Sequence, residues 1–95
     1  MTEQQIQKKI INLLETKYNA YVVKVQTASK AGVPDLLACV EGKFIGIEVK
    51  RLESKNNVSK LQSYNLDKIE DAYGLSMVAW NTEMVEDFIE ENIEL

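Results

Sequence analysis

The sequence predicts an α/β fold in which helices pack on a mixed four-stranded sheet. Three observations lead there. Apolar residues recur at helical spacing near both ends, at Ile6, Ile10, Leu13 and Leu14 and again at Met84, Val85, Phe88 and Ile89. Three short segments of strand-forming residues follow one another between residues 20 and 51. A fourth, from Leu75 to Trp80, comes only after another helical stretch, so it joins the sheet by a crossover.

The elements follow in order. Residues 2–17 read as a helix, with Thr2 and Gln5 at capping-box spacing. Residues 20–26, AYVVKVQ, read as a strand, and residues 27–34, TASKAGVP, as a loop. Residues 35–40 and 43–51 form the second and third strands, joined at Glu41-Gly42 by a tight turn. Residues 52–58 are a charged loop. Residues 59–73 read as a second helix, with Ser59 and Gln62 as its capping box and Gly74 as its stop. The last helix runs from Thr82 to about Asn92. Three successive strands suggest an antiparallel meander.

Composition narrows the chemistry. A chain of 95 residues and 10.8 kDa is expected to form one domain, residues 1–95. It contains no histidine. Ser-His-Asp and Cys-His sites, histidine bases and histidine-ligated zinc are therefore excluded. The single cysteine, Cys39, cannot form an internal disulfide, which fits a reducing compartment such as the cytoplasm. The longest apolar run, Leu36 to Val40, is far short of the ~20 residues of a membrane span. The N-terminus lacks a signal-peptide hydrophobic region.

The net charge of −4 conceals an asymmetry. Residues 1–60 hold ten Lys/Arg and six Asp/Glu; residues 61–95 hold one Lys and nine Asp/Glu. The bland explanation is a set of solvated acidic helix faces. The sharper one is a basic surface for a polyanion on the first half, with the acidic half turned away.

Asp35, Glu48 and Lys50 stand out as chemistry-bearing residues. Strand alternation puts Ile45, Ile47 and Val49 on one face and Phe44, Gly46, Glu48 and Lys50 on the other. With a two-residue turn at Glu41-Gly42, the pairing brings Asp35 opposite Glu48, with Cβ atoms about 4.5–5.5 Å apart. Two carboxylates at that spacing can reach one hard divalent cation. Gly46 is expected to leave open space beside Glu48. Pro34 stiffens the approach to Asp35. A surface hairpin with a polar face and a cross-strand ion pair would produce the same alternation.

The run GVPDLLACVEGKFIGIEVK, Gly32 to Lys50, resembles the active-site hairpin of the PD-(D/E)xK nucleases. Pro34-Asp35 matches the PD element and Glu48-Val49-Lys50 the ExK element. Within that superfamily the chain is most similar to the VRR-NUC group, through Gly-Val-Pro-Asp, the IEVK strand and Ser-Lys-Leu-Gln at residues 59–62. The resemblance implies a restriction-endonuclease-like αβββαβ core and metal-dependent phosphodiester hydrolysis. Asp35, Glu48 and the Val49 carbonyl would hold Mg2+ or Mn2+. Lys50 would orient the attacking water or stabilise the transition state, and activity would fall in acid. The resemblance also adds two catalytic candidates. Glu3 matches a glutamate of the first helix, although a helix N-terminal acid is favoured there anyway. Gln62 matches a glutamine of the following helix, although it is also the capping partner of Ser59, and the two roles are expected to compete, so that both cannot be fully met at once.

For DNA contact, Lys24, Lys30, Arg51, Lys55 and Lys60 lie on or beside the hairpin, where each could equally be a solvated surface side chain. No base-reading motif is visible, so sequence specificity is not expected. The resemblance suggests a homodimer acting on branched or Holliday-junction DNA, and a phage protein working in the host-cell cytoplasm. The last helix and the 75–80 strand are the expected interface. The alternatives are a nicking or flap- and end-processing nuclease, and a non-catalytic nuclease-fold module that binds DNA or protein.

Overall fold

The structure, a computed structural model, describes residues 1–95. Its elements are α1 (Glu3–Lys17), β1 (Tyr21–Lys24), β2 (Leu36–Val40), β3 (Lys43–Val49), α2 (Lys60–Asp71), β4 (Leu75–Ala79) and α3 (Thr82–Asn92). A single 3-10 turn over Leu52–Ser54 interrupts the loop expected at residues 52–58. Both capping boxes form, Thr2 with Gln5 and Ser59 with Gln62.

The four strands make one sheet in the order β1-β2-β3-β4. The first two pairings are antiparallel and β3–β4 is parallel. The meander and the crossover through α2 are therefore both present. α1 and α3 cover one face of the sheet, and α2 lies across β3 and β4 on the other. Alternation decides what each face carries. Leu36, Ala38, Val40, Ile45, Ile47 and Val49 point into the α1/α3 layer and meet Ile6, Ile10, Leu14, Val85 and Ile89. Full burial of each large aliphatic contributes about 1.5–3 kcal/mol.

The strands are shorter than their sequence signals. β2 begins one residue after Asp35, and β3 ends one residue before Lys50. Each residue is tethered by one further bond: Val25 N–H donates to the Asp35 carbonyl at 2.8 Å, and Lys50 N–H to the Ala79 carbonyl at 3.0 Å. Both side chains thus stand at the mouth of the sheet, where the ladder opens.

The stop of α2 also differs. Tyr73, not Gly74, takes the left-handed conformation, with φ 69°. Its N–H donates to the Glu70 carbonyl and the Gly74 N–H to the Ile69 carbonyl, both at 2.9 Å, which is the Schellman pattern. Gly74 is required for space instead, since a Cβ there would sit 2.8 Å from Ile69 Cγ2. Tyr73 is almost fully exposed and carries the strain without compensating contacts. Tyr73→Gly is expected to stabilise the protein by about 0.5–1 kcal/mol, read from the urea midpoint at unchanged m-value.

The apolar residues of the expected dimer surface are drawn largely against the core, with Leu75, Met77, Met84 and Phe88 left only partly exposed. Val85 and Ile89 of α3 are spent on the core, and no large exposed apolar residue lies in β4 or α3. Tyr21, Val23 and Phe44 are exposed instead, on the sheet face that α2 leaves bare over β1 and β2. The helix covers only half of that face because its crossover connects β3 to β4.

Candidate active site

The geometry begins at the hairpin turn. Glu41 and Gly42 have φ of 48° and 80°, the paired positive values of a tight turn that follows strand twist. Val40 pairs with Lys43, and the register runs to Leu36 opposite Ile47. One step further, Asp35 falls opposite Glu48 as the turn length requires. The Asp35 Oδ2 accepts a hydrogen bond from the Val49 N–H at 2.8 Å, which fixes its carboxylate beside that of Glu48.

Glu48 is 3% exposed. Its Oε2 accepts from the Gln62 Nε2 at 3.0 Å and lies 3.7 Å from the Lys50 Nζ. Its Oε1 is buried without a hydrogen-bond partner. Burial, then the neighbouring carboxylate of Asp35, push the Glu48 carboxyl up to about 7; Lys50 opposes the rise and Glu3 adds to it. The site is an anionic pair held in a poorly solvated place, with one lysine beside it.

Gln62 resolves the expected competition. Its Oε1 accepts from the Ser59 N–H at 2.9 Å while its Nε2 donates to Glu48. An amide has an acceptor and a donor end, so one side chain caps α2 and grips the carboxylate together. The space expected beside Gly46 is absent. A Cβ there would meet Ile69 Cδ1 at 2.6 Å and Pro34 Cγ at 3.2 Å. Gly46 lets α2 and Pro34 close over the strand.

Asn65 escapes the sequence reading, and Gly32, read there only as part of the motif, has a packing role. Gly32 has φ 81°, and a Cβ would sit 2.7 Å from Leu61 Cγ and 2.9 Å from both Asn65 Nδ2 and the Leu61 carbonyl oxygen. Asn65 is buried and donates to the carbonyls of Ala31 and Leu61. Together they pin the 27–34 loop to the first turns of α2, so Asp35 and Gln62 arrive at Glu48 from one packed unit. The available signal was an amide on the inward stripe of α2, where Gln62, Asn65, Leu66 and Ile69 share helical spacing.

No protein-family model matches the chain, and no curated protein matches it by sequence. A solved structure described as a VRR_NUC domain matches with a TM-score of 0.79 at 23% identity, over 98% of this chain and all of the other. The chain has the VRR_NUC fold. That fold is what sets the ends of β2 and β3 against the N-termini of α1 and α2.

The remaining candidates surround the VRR_NUC-type hairpin without touching the carboxylates. Glu3 makes no hydrogen bond to them, but its charge reaches Glu48, and it lines a shallow cavity of about 370 Å³ with Arg51. Lys24 pairs across the ladder with Leu36, next to Asp35. Lys24, Lys30, Arg51 and Lys60 are exposed. Lys55 is exposed too, and its ammonium lies 5.1 Å from the centre of the Trp80 ring.

The donor set suits a hard divalent cation. Two carboxylates converge, and the partnerless Glu48 Oε1 is an acceptor whose burial is costly unless something occupies it. No group of three or more His, Cys, Asp or Glu side chains gathers here. Further oxygen ligands would therefore come from backbone, water or substrate.

Proposed function

We propose that this protein is a divalent-metal-dependent nuclease that hydrolyses phosphodiester bonds in DNA. The juxtaposition of Asp35, Glu48 and Lys50 carries the reading, because no structural role explains burying Glu48 beside a second carboxylate and a half-buried lysine. Asp35, Glu48 and the Val49 carbonyl would hold Mg2+ or Mn2+. A cation held there would supply Lewis acidity toward the water and the phosphate. Gln62 and the Val49 N–H hold the two carboxylates in place. Lys50 sits where it would orient the attacking water or offset charge gathering on the phosphate oxygens. Glu3 would add negative charge at the rim. Lys24, Lys30, Arg51, Lys55 and Lys60 would contact phosphates without reading bases.

A four-way junction is the proposed substrate, and a homodimer the proposed working form, since a two-fold substrate suits a two-fold enzyme. The test is cleavage of a labelled four-way junction beside matched linear and flap DNAs, with Mg2+, Mn2+ or chelator. Metal-dependent cutting of the junction is the expected result. Sedimentation of the protein with junction DNA should show two chains per junction. Asp35→Ala and Lys50→Ala should each remove cutting while circular dichroism stays unchanged; full activity in both variants would sink the site assignment.

A further inference from the structure

A groove on the outer face of α1 has no part in the site above. It is an open groove of about 800 Å³ with Met1 and Leu13 as its apolar lining, edged by Gln5, Lys8, Lys9, Asn12 and Thr16, with Thr82 at the start of α3. These α1 residues recur three or four positions apart, so they form one stripe along the helix. No acidic side chain lines the groove. Lys8 and Lys9 are exposed and make no ion pair, whereas Lys17 on the same helix is held by Glu86 and Glu90 of α3. The nearest acidic helix thus spends two of its carboxylates on Lys17 and leaves the other two lysines free.

The helix that carries the stripe starts beside the candidate active site, where the charge of Glu3 reaches Glu48. A smaller cavity shares Met1, Lys9 and Thr82 with the groove and reaches Asn81 and Glu83. At the other side of the α1 N-terminus lies the cavity of Glu3 and Arg51. Fifteen helical residues extend about 22 Å, the length of roughly six base pairs at 3.4 Å each. Lysine, amide and hydroxyl side chains are the groups that grip phosphates.

We propose that this groove seats the sugar-phosphate backbone of a DNA arm running away from the catalytic carboxylates. The proposal rests on the nuclease reading and extends it to a second contact surface. It also explains how a chain of charge −4 would engage DNA: the neutral-to-basic stripe along α1 offsets the acidic faces elsewhere.

The experiment measures binding of a fluorescein-labelled four-way junction by anisotropy across a salt series, with Ca2+ in place of Mg2+. The double variant Lys8→Ala, Lys9→Ala is compared with a charge-matched control, Lys43→Ala, Lys68→Ala. The α1 pair should weaken binding about tenfold and lower the slope of log K against log salt by about 2, against little change for the control. Equal behaviour of the two double variants overturns the groove proposal. Cleavage by the wild-type protein in Mg2+ is scored in parallel. A wild type that cuts while the α1 pair binds normally overturns the groove alone. A wild type that neither binds nor cuts overturns both.

Discussion

Glu48→Gln is expected to abolish DNA cleavage and, in the same molecule, to stabilise the metal-free protein at alkaline pH. The loss of activity should be at least a hundredfold, the scale seen when one electrostatic stabiliser of a transition state is removed, about 10²–10³. The gain in stability follows from the raised carboxyl. Below about 4.5 Glu48 is protonated in the folded and unfolded chains alike. Between there and about 7 only the folded chain keeps the proton, so the folded state loses stability as pH rises. Above about 7 the whole difference has been lost, on the order of 3 kcal/mol. Glutamine keeps an acceptor for Gln62 and carries no charge. Urea unfolding with chelator should therefore show the variant ahead at pH 8 and level with wild type near pH 4.5. A variant no more stable at pH 8 would mean that the buried charge is not costly. The same proton would compete with a metal held as proposed. Mn2+ binding at pH 6 should release about one proton, and cleavage should fall as pH drops below about 7.

Gly32→Ala is expected to be the most damaging single-methyl change. It costs about 1–2 kcal/mol for an L-residue at φ 81°. It costs a further 1–3 kcal/mol, roughly, for forcing a Cβ against Leu61 and Asn65. A domain of this size has only about 5–14 kcal/mol in hand. The consequence reaches the site, because Val33 and Pro34 alone separate Gly32 from Asp35. Mn2+ affinity should fall with stability. Gly42→Ala is the control: its φ is 80°, yet no atom lies within 4 Å of the added methyl. It should lose about 1–2 kcal/mol and bind Mn2+ normally. Equal urea midpoints for the two variants would refute the packing argument at Gly32.

The sequence by itself determined the order of elements, the turn at Glu41-Gly42 and the pairing of Asp35 with Glu48. These are local matters. A period of two assigns faces, and a two-residue turn assigns partners, with no knowledge of the rest of the chain. The resemblance carried by Gly32 to Lys50 pointed to the fold for the same reason, since its motif is one hairpin. Gly74 misled because composition marks where a helix stops, not which residue bears the positive φ. The apolar stripe on α3 serves the core first, because such a stripe reads alike whether it meets the core or another chain.

Only the tertiary structure decided how the hairpin became a buried site. Glu48 is buried because α2 crosses β3, Gly46 admits Ile69 and Pro34, and Asn65 draws in the 27–34 loop. Gln62 does two things at once because the helix presents both ends of its amide. The split of charge at residue 60 is not a split in space: α2, from the acidic half, supplies Gln62 to the site, and α3 neutralises Lys17. Burial and ion pairing depend on which surfaces meet across the fold, and that information lies in no single stretch of the chain.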